Sequence, residues 1–136
     1  MKVFVDTIVI ISAIVFSSGS MGKLIEFAFD QHQVVISEAV ADECRRVTTR
    51  LRSSRSEQME SLLTDIRLTI LNSEELVASR PTAIRDESDH VILDDALASG
   101  VDIILTGDKD FHALELKQPR VMTPAQFEQE FLASES

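Results

Sequence analysis

At 136 residues and 44% hydrophobic, the chain has material for one well-filled core and not for two. Its net charge of −10 excludes a generally basic surface for nucleic acid, so any such contact has to come from a local cluster. The one cysteine, Cys44, excludes an intrachain disulfide and a thiolate metal cluster, in keeping with a reducing cytoplasm.

Val3-Phe4-Val5 is apolar without alternation, the pattern of a strand covered on both faces, and it ends on a carboxylate, Asp6. Thr7 to Phe16 stays apolar too long for another strand and is predicted as a buried helix, broken by Ser17-Ser18-Gly19-Ser20. Lys2 and this run loosely resemble a signal peptide, but Asp6 interrupts the apolar stretch and a single Lys precedes it. The run is also shorter than the ~20 residues of a membrane span. Leu24, Phe27 and Ala28 follow at helical spacing, and Val34-Val35-Ile36 forms a second short strand.

Ser37 stands where an N-cap belongs, and Val40, Cys44, Val47 and Leu51 draw one apolar stripe down the next helix. Arg52 to Arg55 reads as a connection. Met59, Leu62, Leu63 and Ile66 then mark a helix from Glu57 to Ile66, and Leu68 to Leu71 a strand. Asn72 to Arg85, with Pro81 and no clear period, reads as a loop with room for a helical turn. Ser88 caps a helix bearing Ile92, Leu93, Ala96 and Leu97, stopped by Gly100. Val101 to Leu105 is a strand running into Thr106-Gly107-Asp108-Lys109-Asp110. Arg120 to Met122 is the last strand, and Thr123-Pro124-Ala125-Gln126 spells a capping box ahead of a helix with Phe127, Phe131 and Leu132. Strands alternating with helices predict an α/β domain, a mostly parallel sheet of four or five strands with helices on both faces.

Ligands of such sheets bind beyond the carboxyl ends of the strands, where Asp6 and Asp108 lie. Each acid has an ordinary explanation when taken alone. Asp6 can cap a helix, Asp108 can belong to a turn, and Glu43 can pair with the arginines that follow three and seven residues on along the same helical edge, Arg46 and Arg50. Asp89, with Asp86 and Glu87 as neighbours, sits where a helix dipole favours negative charge. Convergence of Asp6, Glu43, Asp89 and Asp108 on one end of the sheet would force some to take up protons unless a cation is present. Oxygen-only ligands suit Mg²⁺ or Mn²⁺, whereas His32, His90 and His112 lack zinc-like spacing and read as ordinary surface or loop residues. Arg45, Arg46, Arg50, Arg52 and Arg55 crowd one helix and its exit, as a solvated face or a phosphate clamp.

In VFVDT, SEAVADECRRV, RDESDHVILDDALASGVDIILTGDKDF and VMTPAQFEQEF, the chain resembles the PIN domain family, and in particular VapC-like toxins of toxin–antitoxin pairs. The resemblance implies a ribonuclease dependent on Mg²⁺ or Mn²⁺, with Asp6, Glu43, Asp89 and Asp108 as catalytic and metal-binding acids and Asp110 as a helper. It also implies a homodimer and an antitoxin whose tail fills the active site. The family's opening motif carries Asn two residues after the first Asp, and here that position is Ile8.

The leading expectation is therefore an endoribonuclease in which Arg46 and Arg50 hold neighbouring phosphates and Thr106 orients an acid or a water. The alternative is a PIN-fold module, weakened by Ile8, that binds RNA or a partner protein without cutting. A phosphoryl-transfer domain of the receiver or haloacid-dehalogenase kind fits less well, since Ile8 and Ser37 stand where those sites want acids.

Overall fold

The computed structural model of the chain describes residues 1–16, 19–51, 53–72, 75–76 and 91–132. The predicted cap at Ser88, the acids Asp86, Glu87 and Asp89, and also Pro81, His90 and Arg52, lie outside the described residues.

Among the described residues five strands form one sheet: β1 (Lys2–Val5), β2 (Gln33–Ser37), β3 (Leu68–Leu71), β4 (Ile103–Leu105) and β5 (Arg120–Met122). Every pairing is parallel and the order across the sheet is β3-β2-β1-β4-β5. Successive residues of a strand point to opposite faces, yet Val3, Phe4 and Val5 are fully buried, as are Ile103, Ile104 and Leu105. Both faces of the central strands are therefore covered, as the uninterrupted apolar runs predict.

The helices between the strands are α1 (Thr7–Val15), α2 (Ser20–Gln31), α3 (Glu38–Thr48), α4 (Ser53–Leu63), α5 (Val91–Ala98), α6 (Lys109–His112) and α7 (Pro124–Phe127), the last continuing as a wider turn over Glu128–Leu132. No single helix among the described residues is long and apolar enough to cross a membrane. Local signals behave as predicted at several ends. The Ser37 hydroxyl accepts from the Val40 N–H at 3.3 Å, Gly100 takes φ +70°, and the Thr123–Gln126 capping box closes on both sides.

Two helices have ends that differ from the prediction. Helix α3 ends at Thr48, so Leu51 falls beyond it and is 43% exposed, while Thr48 itself is buried and turns its hydroxyl to the Cys44 carbonyl at 2.9 Å. Helix α4 begins at Ser53 and ends at Leu63, so Ser53 to Arg55 belongs to a helix and not to a connection, and Ile66 lies past the helix, 99% exposed. In both cases an apolar residue continued the helical period in sequence after the backbone had turned away.

Arg67 explains the second turn. Its guanidinium bonds Asp65 Oδ1 and Oδ2 at 3.0 and 2.8 Å, Glu26 at 2.9 Å and Asp30 at 2.7 Å, and lies 4.9 Å from the centre of the Phe29 ring. Bonds from this side chain, and from the Arg67 backbone N–H, hold the Asp65 carboxyl down to about 2. A carboxyl lowered on folding stabilises fully above its unfolded value near 3.8, and the contribution disappears as pH falls towards 2. The urea midpoint of Asp65→Asn is therefore expected to fall less steeply between pH 4 and 2 than that of the unaltered chain. Parallel slopes would show that the turn contributes nothing.

Candidate active site

The sheet order sets the location. Going from β1 the chain moves outward through β2 and β3, then returns to lay β4 on the other side of β1. The carboxyl ends of β1 and β4 thus flank the point where the direction of winding reverses, the usual binding crevice of such sheets. Asp6 ends β1 and its N–H bonds the Leu105 carbonyl at 3.0 Å. Thr106 ends β4, and its N–H bonds the Met122 carbonyl of β5 at 3.0 Å.

A cavity of about 180 Å³ opens here, lined by Asp6, Thr7, Ile8, Glu43, Ile92, Leu93, Asp108, Asp110 and Phe111. Three of the four acids singled out in the sequence, with Asp110, share its wall, and Asp89 lies outside the described residues. Each of those three also performs the ordinary task weighed for it. Asp6 Oδ1 accepts from the Thr7 N–H at 2.8 Å as it caps α1. Asp108 caps α6 by accepting from the Asp110 N–H at 2.8 Å. Glu43 stands 3.9 Å from Arg46. The two readings are compatible, because the caps are what aim the carboxylates.

Asp6 is the buried member of the group, 6% exposed, while Asp108 and Asp110 are exposed and Glu43 half-buried. Its second oxygen accepts the Thr106 hydroxyl at 2.7 Å. Burial pushes the Asp6 carboxyl above its ordinary value, opposed by the bonds from Thr106 and the Thr7 N–H and reinforced by the charge of Asp108. Beneath the acids, burial and then the charges of Glu43 and Asp6 push the Cys44 thiol up to about 12. That cysteine is fully buried and chemically inert.

Among the described residues, no three His, Cys, Asp or Glu side chains stand close enough to hold a metal ion between them. The carboxylates share a cavity without forming a cage.

The arginine cluster divides. Arg45 is taken by Glu60 at 2.7 Å and Asp42 at 3.8 Å, and Arg55 donates to the Ile14 carbonyl at the end of α1 at 3.2 Å. Arg46 remains at the rim beside Glu43 with 62% of its side chain exposed. Arg50 is exposed but lies beyond the end of α3, so it does not share a helical edge with Glu43 as its spacing had suggested.

Three features of this region were not picked out from the sequence. Asp94 and Asp95 of α5 are each 1% exposed, signalled only as two acids interrupting the apolar run Val91–Ala98; neither lines the cavity. The Thr7 hydroxyl is buried and has no hydrogen-bond partner among the described residues. His112, read from the sequence as an ordinary surface or loop residue, places Nε2 2.9 Å from the Thr106 carbonyl oxygen.

Fold and crevice define a doubly wound α/β protein with an acid-lined site at its switch point. The chain belongs to the PIN domain family, which it matches over residues 2–110. Among solved structures it is similar in fold to a chain of VapBC2 from Rickettsia felis, a complex bound to a DNA fragment from its promoter. There the TM-score is 0.61 and the identity 18%, covering 90% of this chain and 98% of that one. It is also similar to VapC20 from Mycobacterium tuberculosis, a Sarcin-Ricin loop cleaving toxin, with TM-score 0.56, 12% identity and coverage of 84% and 95%. No curated protein sequence matches the chain.

Proposed function

We propose that this chain is an endoribonuclease, the toxin of a toxin–antitoxin pair, hydrolysing RNA phosphodiester bonds in the crevice between β1 and β4. The observation that carries the proposal is the convergence of Asp6, Glu43, Asp108 and Asp110 on the switch point of a PIN-domain sheet. The fold likeness to an RNA-cleaving toxin and to a toxin–antitoxin complex supports the substrate class and an antitoxin partner. A homodimer belongs to the same reading through the family resemblance.

The donor set fits Mg²⁺ or Mn²⁺. All the candidate ligands are carboxylates, and their spacing suits an ion that keeps several waters and takes only one or two protein oxygens. The orphaned Thr7 hydroxyl is a polar atom that such a water would satisfy. Asp6, Glu43 and Asp108, joined by Asp89 if the family pattern carries over, would hold the ion, one or two of them directly and the others through its bound waters. A divalent cation supplies charge neutralisation of the phosphodiester and a bound water of lowered pKa. The chain's own part is to hold Asp6 rigidly through Thr106 and Thr7, and to offer Arg46 and Arg50 to the flanking phosphates.

Purified protein with Mn²⁺ is expected to cleave RNA, with activity lost in EDTA and in Asp6→Asn. Cleavage that survives both treatments overturns the proposal. Because the net charge is −10, substrate capture rests on few cations. Arg46→Ala and Arg50→Ala are each expected to raise KM severalfold and to flatten the dependence of log kcat/KM on log salt by about 0.7. An unchanged salt slope would remove both residues from the RNA path. Ile8, 62% exposed on the cavity wall, favours a second reading, a module that binds without cutting. Calorimetry separates the two, since such a module would show no Mn²⁺ binding that depends on Asp6.

A further inference from the structure

The turn that carries Asp108 is anchored by a residue outside the cavity wall. Every polar group of Thr106 is engaged, and the residue is fully buried. Its N–H reaches Met122, its hydroxyl donates to Asp6 at 2.7 Å and accepts from the Asp108 N–H at 3.0 Å, and its carbonyl meets His112 Nε2 at 2.9 Å. A carbonyl oxygen only accepts, so Nε2 carries the hydrogen and is the donor. His112 closes α6, the short helix whose N-cap is Asp108, and Phe111 beside it is 3% exposed in the core. His112 thus ties the far end of α6 back to the residue that precedes the turn.

Packing does not hold the turn itself. Gly107, between Thr106 and Asp108, is exposed, and a side-chain carbon built there would meet nothing within 4 Å. Asp108 is placed relative to Asp6 by the seat of Phe111 in the core and by the hydrogen bonds that span the turn, which pass through Thr106 or α6. Removing the imidazole leaves a buried carbonyl without its partner, and the peptide between Thr106 and Asp108 turns to find another.

We infer that His112 is a positioning residue for the acid-lined crevice: it touches no substrate, and through the Thr106 carbonyl it sets the distance and orientation between the carboxylates of Asp6 and Asp108. The consequence for catalysis rests on the ribonuclease reading, whereas the consequence for the turn does not.

Two near-isosteric substitutions separate positioning from simple stability. His112→Gln puts an amide N–H near the position of Nε2, and His112→Asn places its amide near Nδ1, too short to reach the carbonyl. The purified variants are compared for amide hydrogen exchange at Asp108 and Asp110, for Mn²⁺ affinity by calorimetry, and for RNA cleavage with kcat and KM resolved. His112→Asn is expected to speed exchange at both amides about tenfold, to weaken Mn²⁺ binding about tenfold and to lower kcat about tenfold, with KM changed less than about twofold. His112→Gln is expected to stay within about threefold of the unaltered protein in all of these. Exchange unchanged in His112→Asn, or accelerated equally in both variants, overturns the inference. If the unaltered protein does not cleave RNA, the ribonuclease reading falls, and exchange at Asp108 still decides the role of His112.

Discussion

Asp6→Asn is expected to lower RNA cleavage on the order of 10³-fold while leaving the metal-free protein at least as stable as before. The two effects have one cause. Asp6 is 6% exposed, and burial raises its carboxyl pKa, with Asp108 adding to the rise. A carboxyl raised on folding favours the folded state fully below its unfolded value near 3.8, and that contribution is lost as pH rises through the folded value. At neutral pH without a cation, the charged form is therefore a burden on the fold. Asparagine removes the charge yet keeps an oxygen for the Thr7 N–H and an amide for Thr106, whose hydroxyl oxygen can accept two bonds. Thermal melting in EDTA at pH 7, beside cleavage assays in Mn²⁺, measures both halves. A variant that is inactive because it is less stable than the parent would leave the catalytic role of Asp6 without support.

Phe127→Ala is expected to cost about 3–5 kcal/mol, the largest loss of stability from a single truncation near the end of the chain. The ring is fully buried, with its centre 4.8 Å from that of Phe131, 5.6 Å from His32 and 6.4 Å from Phe27. These contacts join the segment after β5 to the end of α2, and the capping box at Thr123 and Gln126 sets the direction in which the segment leaves the sheet. Edge-to-face packing adds to the area buried. Urea unfolding should show a lower midpoint with an unchanged slope, since the unfolded chain exposes nearly the same surface. A loss below about 1 kcal/mol would mean that the terminal segment is not part of the cooperative core.

The residues singled out in the sequence do not all come together in the structure. Asp6, Glu43 and Asp108 were legible because each breaks a pattern: two end apolar strands and one borders a buried helical stripe. Arg45 and Arg55 looked equivalent to Arg46 in sequence, and the structure gives them other partners, Glu60 in α4 and the Ile14 carbonyl in α1. Nothing in the spacing of arginines encodes a partner 15 or 41 residues away. His112 was passed over for the same reason, since its meaning lies in one bond to a backbone carbonyl and not in a side-chain motif.

What the sequence alone determined is whatever depends on neighbours within a few residues. That includes the apolar runs that became β1, β2, β3, β4 and β5, the serine at the start of α3, the glycine after α5 and the capping box before α7. Only the tertiary structure decided that β4 returns to pair with β1 and not with β3. That choice brings Thr106 to within 2.7 Å of a carboxylate 100 residues earlier and makes one crevice of separate acids. Caps and periodicities are satisfied inside a single element, whereas strand order is selected by the sum of contacts that bury both faces of the sheet at once, and no local pattern records that sum.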